Sequence, residues 1–110
     1  MMLKMSVHAQ YDRFERLTYL ATEIGLGEIT LTLYSDDRRV CITNTGLIIV
    51  LDKEGNLITA YLPDINRVNA MYWEKYGRDS RLPHWLYAIV LTNQKKHGKH
   101  LEKINLKYHK

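Results

Sequence analysis

The 110-residue chain has one cysteine, two prolines and six glycines, and each scarcity excludes something. Cys41 alone can form neither an internal disulfide nor a cysteine-based zinc site, and its place inside a strand signal marks it as a small core residue. So little proline and glycine argues against collagen-like, linker-like and low-complexity classes. No run approaches the roughly 20 apolar residues of a membrane span, and the opening MMLKMSVHAQYDRFERL lacks the unbroken apolar stretch of a signal peptide. The expectation is a protein that stays in the cytoplasm and makes no membrane contact. No internal period is visible either. With 45% hydrophobic and 25% charged residues, the composition is globular, and the length suits a single domain over residues 1–110.

Negative charge is scarce at one end only. Residues 95–110 hold six lysines against one acid, Glu102, whereas residues 1–94 hold ten basic and eleven acidic residues. The net charge of +4 is therefore a C-terminal property. Lys95, Lys96, Lys99 and Lys103, accompanied by His97, His100 and His109, are the candidate nucleic-acid contacts, because clustered cations neutralise phosphates. The same run also reads as a solvated surface.

What the sequence has in abundance is strand signal. Val40 to Tyr61, VCITNTGLIIVLDKEGNLITAY, holds three short apolar segments separated by Asn44-Thr45-Gly46 and by Asp52-Lys53-Glu54-Gly55-Asn56, loops rich in residues that accept tight turns. Glu28 to Tyr34 alternates ahead of them. Four successive antiparallel strands follow, at about 28–34, 39–44, 47–52 and 57–62. Leu47 to Leu51 is apolar throughout, the pattern of a strand covered on both faces. Parity along the other segments allows Thr43, Thr59 and Tyr61 to share one sheet surface.

Helical spacing brackets this meander. Val7, Tyr11, Phe14, Leu17, Ala21 and Ile24 recur at three or four between Ser6 and Ile24, with Ser6 as N-cap and Gly25 as stop. His8, Asp12, Glu15 and Arg16 fall on the opposite, polar face. Pro63 ends the last strand, and Asp64 caps a helix to about Tyr76 whose buried stripe is Ile65, Val68, Tyr72 and Tyr76. Leu82-Pro83 opens a third helical segment in which Leu86, Ile89, Val90 and Asn93 share a face, although WLYAIVL also suits a strand. Beyond Gly98 both readings stay open. The fold expected is α+β: an N-terminal helix packed on a four-stranded antiparallel β-meander (residues 6–62), followed by two or three C-terminal helices (residues 64–110).

Among ionisable groups, His8 is the candidate general base or acid, since an imidazole beside Asp12 and an arginine meets that requirement in outline. His8 with Asp12 gives only two ligands, so no metal site is expected. His84, near a helix start, reads as structural.

The helix carrying His8-Ala9 with Arg13 and Arg16, followed by ITNTGLIIVLDKEGNLITAYL, resembles the barnase/EndoU/colicin/RelE-like (BECR) group of small ribonucleases and toxin domains, nearest its phage- and mobile-element-borne members. The resemblance covers about residues 6–62 and rests on the Thr43–Gly46 turn and the hairpin ending in Ile58-Thr59-Ala60-Tyr61. It implies metal-independent and cofactor-free cleavage of RNA, with the 2′-hydroxyl attacking the adjacent phosphate to leave a 2′,3′-cyclic phosphate, and an inhibitor protein as partner. His8 would then be the base or acid, Arg13 or Arg16 would hold the phosphate, and Thr43, Thr59 and Tyr61 would line the sheet face beneath it. Asp12 departs from the pattern, which has an arginine there. Two further readings compete: a non-catalytic module binding nucleic acid or an acidic protein through its lysines, and an accessory protein that dimerises through Tyr72, Trp73, Tyr76 and Trp85.

Overall fold

A computed structural model describes the backbone of residues 7–108 and the side chains of residues 13–107. The order of elements is α1 (Val7–Glu23), β1 (Ile29–Ser35), β2 (Arg38–Thr43), β3 (Ile48–Asp52), β4 (Leu57–Tyr61), α2 (Ile65–Tyr76) and α3 (His84–Tyr108). The four strands form one antiparallel sheet in the order β1-β2-β3-β4. The fold is thus α+β, a helix and a meander followed by two helices.

Both faces of the sheet are covered. On the first, Cys41, Leu47, Ile49 and Ala60 pack with Leu20 of α1 and with Leu101 and Ile104 from the C-terminal half of α3. On the second, Leu31, Ile42 and Ile48 pack with Val68 and Met71 of α2 and with Leu86 and Val90 from the N-terminal half of α3. The unbroken apolar run of β3 is explained by this double cover, since each side of a strand receives alternate residues.

α3 makes the arrangement possible. Its 25 residues, about 37 Å at the helical rise, cross one end of the sheet, so that its first half serves one core and its second half the other. At the crossing, Asn93 is buried and donates from Nδ2 to the Thr45 carbonyl at 2.8 Å, and Gln94 donates to the Pro63 carbonyl at 2.9 Å. The helix runs on through Gly98. A mid-helix glycine costs roughly 0.5–1 kcal/mol relative to alanine, a small penalty beside the burial of Leu101 and Ile104 that continuation permits. This settles both ambiguous stretches, WLYAIVL and residues 99–108, as helix.

Local signals explain the boundaries. Asp64 caps α2 by accepting from the Arg67 N–H at 2.9 Å, and Gly77, at φ 99°, closes it with its N–H on the Trp73 carbonyl. Gly25, at φ 89°, ends α1 by donating to the Leu20 carbonyl at 2.8 Å. Ser6, the expected N-cap of α1, lies outside the described residues.

Two expected helix stripes need correction. In α1 the buried line runs through Leu17, Leu20 and Ile24, whereas Phe14 is 70% exposed and Ala21 faces solvent. The helix is rotated so that Leu20 and Arg16, rather than Phe14, face the sheet. In α2 the deeply buried pair is Val68 and Met71, with Ile65 and Tyr72 packed beside them, and Tyr76 is exposed.

Gly46 is where the β2–β3 turn meets α3 most closely. It sits at φ +88°, and a Cβ there would lie 2.9 Å from Asn93 Nδ2 and 3.0 Å from Ile89 Cγ2. Replacing it with alanine would therefore combine left-handed backbone strain of about 1–2 kcal/mol with a clash against α3. Gly46→Ala is expected to lower the urea midpoint by more than strain alone accounts for; an unchanged midpoint would mean that α3 does not cross at this turn.

Candidate functional site

The Thr-x-Thr-Gly turn is a structural knot. Thr43 is fully buried, accepts from the Leu47 N–H at 3.2 Å and lies 3.0 Å from the Thr45 hydroxyl. Thr45 donates its proton to the Gly25 carbonyl at 2.7 Å, which makes Thr43 the donor between the two hydroxyls. Asn44 closes the same region by accepting from the Glu28 N–H at 2.9 Å. These bonds tie the end of α1, the start of β1, the β2–β3 turn and α3 into one unit.

Thr43, Thr59 and Tyr61 do not share a surface, which corrects the expectation from parity. Cys41, two residues before Thr43, packs on the α1 face, so Thr43 belongs there, while Tyr61 packs with the α2 cluster and Thr59, two residues before it, has the same parity. The irregularities of register at both ends of the sheet are local, but the face of each residue follows from its own neighbours.

Arg16 does meet Thr59. Its Nε donates to the Ala60 carbonyl at 3.1 Å and Nη2 to the Thr59 hydroxyl at 3.1 Å. β4 is an edge strand, and an edge carbonyl is a ready-made site for another chain. The planar guanidinium holds this carbonyl and the Thr59 hydroxyl with two donors at once, a geometry that lysine cannot copy. Arg16 was expected on the outer polar face of α1; it turns inward instead. Arg13 sits half-buried one turn before it. His8 and Asp12 belong to α1, but their side chains lie outside the described residues.

The lysines fall together. Lys95, Lys96, Lys99 and Lys103 are all exposed on α3, and positions three, four and eight apart share a helix face. Lys95, Lys99 and Lys103 follow one another at about 6 Å along the axis, opposite the buried line of Val90, Asn93, Leu101 and Ile104. Lys107 continues the row and pairs with Glu15 of α1 at 3.5 Å. Both partners of that pair are solvent-accessible, so its contribution is small.

One cluster escaped the sequence. Tyr19 of α1 shares a hydrogen bond of 2.7 Å with His97 Nδ1 and stacks on the His100 ring with centroids 4.4 Å apart. Burial, and then the negative charge of Glu23, push the Tyr19 phenol above its ordinary value. The phenol thus keeps its proton near neutrality. Tyr19 lies 78 residues from His97, so no local spacing could join them. The three-residue interval of His97 and His100 becomes a shared face only once α3 is known to continue through Gly98.

A groove of about 450 Å³ adjoins this cluster, between α1 and the C-terminal half of α3, with Phe14, Thr18, Tyr19, His100 and Ile104 in its walls. A second, of about 500 Å³, lies at the opposite end of the sheet among Arg38, Asp52, Lys53 and Glu54. Its charges are mixed, and the Asp52 carboxylate is held below its ordinary value chiefly by the Asn56 backbone N–H, within the turn itself. Among the described residues no group of three or more His, Cys, Asp or Glu is placed to hold a metal ion, and no helix is long and apolar enough to cross a membrane.

Comparison with protein-family models, with curated proteins and with solved structures finds no match for the chain. The geometry above is what carries its functional reading.

Arg16→Ala is expected to cost about 1–3 kcal/mol, the range for a hydrogen bond made by a charged group, and Arg16→Lys is expected to recover only part of it. Thermal unfolding of the two variants checks this. Equal stability of both with the wild type would free Arg16 from the structural role.

Proposed function

We propose that this chain is a nucleic-acid-binding module that lays the exposed lysine face of α3 along a phosphate backbone, RNA being the class implied by the sequence resemblance. The observation that carries the reading is the grouping of Lys95, Lys96, Lys99 and Lys103 on one exposed helix face. A rigid helix that presents a cation about every 6 Å suits a polymer with regularly spaced charge better than it suits a compact small anion. The rest of the chain supports the same reading, because the charge excess of the molecule resides in this segment. Binding of this kind releases condensed counterions and so weakens steeply with salt.

Replacing the four lysines with glutamine is expected to weaken binding to every RNA sequence by similar factors. It should also flatten the plot of log affinity against log salt by about 3, at roughly 0.7 per phosphate neutralised on a single strand. Fluorescence anisotropy across a salt series measures both. A wild type that binds no RNA at low salt, or a quadruple variant with an unchanged slope, would sink the proposal.

A second reading is metal-independent ribonuclease chemistry on the β4 edge. It is favoured by the meeting of Arg16 with Thr59 at 3.1 Å, two of the residues implied by the resemblance, on the strand that also carries Tyr61. Against it, Arg16 already serves a backbone carbonyl and Thr43 is buried. On this reading RNA incubated with the protein in EDTA is cut to 2′,3′-cyclic phosphate ends, and His8→Ala or Tyr61→Ala abolishes the cutting. Intact RNA in the presence of protein that binds it would leave the binding module alone.

A further inference from the structure

The lysine face accounts for phosphates but not for the exposed aromatic group beside it. Phe14 stands 70% exposed on α1, where a helix packed on a sheet gains nothing from a phenyl ring in water. It lies in the wall of the groove between α1 and α3, together with Tyr19 and His100. The His100 ring is exposed and is held in place by stacking on Tyr19, which in turn is fixed by its hydrogen bond to His97. The groove therefore offers one exposed aromatic ring and one pre-oriented aromatic pair.

The lysines flank this groove. Lys96 lies four residues before His100 and Lys103 three residues after it, so both are its helix-face neighbours. Lys107 reaches across to Glu15, which borders the same groove, and offsets that carboxylate. Aromatic surface floored by Ile104 and bordered by cations matches the chemistry of one polymer component in particular: an unpaired nucleotide, whose base stacks while its phosphates meet lysine. A paired base cannot present its ring face, because that face is already stacked within the duplex. An apolar peptide would fill the groove without using the lysines.

We infer that the groove between α1 and α3 takes an unpaired base against Phe14 and the Tyr19–His100 stack, which makes the lysine face of α3 a reader of single strands. This rests on the phosphate-binding reading above and specifies its substrate as single-stranded.

The experiment compares three labelled probes at one salt concentration: a short single-stranded RNA, a duplex of the same length, and an abasic strand that keeps the phosphates and lacks the bases. Wild-type protein is expected to bind the single strand roughly tenfold more tightly than the abasic strand, the scale of one base stacked on an aromatic group. Phe14→Ala and His100→Ala should each remove most of that advantage and leave abasic binding unchanged, and Phe14→Trp should retain it. Phe14 and His100 are exposed, so folding is not at stake. Equal binding of single and abasic strands by the wild type overturns the inference, as does an advantage that survives Phe14→Ala. If the lysine variant loses all probes while Phe14→Ala behaves as wild type, the groove fails and the phosphate reading stands. If the wild type binds none of the probes, both fall. A wild type that dimerises through Phe14 in place of stacking on RNA, seen as a mass that halves in Phe14→Ala, also overturns it.

Discussion

The contact on which the rest of the molecule depends is the passage of α3 over the β2–β3 turn. There Gly46 leaves no room for a side chain, and Asn93 donates to the Thr45 carbonyl from a buried position. A polar group without a partner at that depth would cost about 1–3 kcal/mol, so the amide is stable only in the register that brings it to Thr45. Apolar contacts alone would tolerate sliding of a long helix across the end of a sheet. The Asn93 bond and the Gln94 bond to Pro63 fix where along α3 the crossing occurs, and therefore which residues fall to each core.

That register has an electrostatic result. Once Val90, Asn93, Leu101 and Ile104 point inward, helical geometry sends Lys95, Lys99 and Lys103 outward. The lysine face is not an independent decoration of the surface; it is the complement of the line that joins the two cores. The same rotation sets His97 and His100 toward Tyr19, at the flank between buried and exposed positions.

Much of this was legible in the sequence where the relevant contacts are local. Strand parity placed the four strands within a residue or two, and the wholly apolar Leu47–Leu51 announced a strand with cover on both sides. Asp64 and Gly25 marked helix ends because capping involves neighbours in the chain. The site was less legible. Thr43 has the residue type of a functional hydroxyl, and only its bonds to the Leu47 N–H and to Thr45, which itself reaches the Gly25 carbonyl 20 residues away, reveal that it closes a turn. Arg16 looked like a surface cation because its carbonyl partner lies 44 residues away. Gly98 obscured the helix that unites the lysines, since the burial that outweighs its intrinsic cost comes from tertiary packing and not from its own neighbourhood.

The two edges of the sheet bear on where a partner can bind. β4 is closed by Arg16 at the Ala60 carbonyl, and β1 by Lys75 of α2, whose Nζ donates to the Thr32 carbonyl at 3.3 Å. Cations over edge carbonyls suppress the addition of a further strand, and both faces of the sheet are filled by helices. With edges guarded and faces occupied, the sheet acts as a scaffold rather than as a binding surface. The proposed recognition then falls to the outer helices, and among the described residues α3 alone combines a row of cations with an adjoining aromatic groove. The proposed function at α3 thus rests as much on what the rest of the fold has closed off as on the lysines themselves.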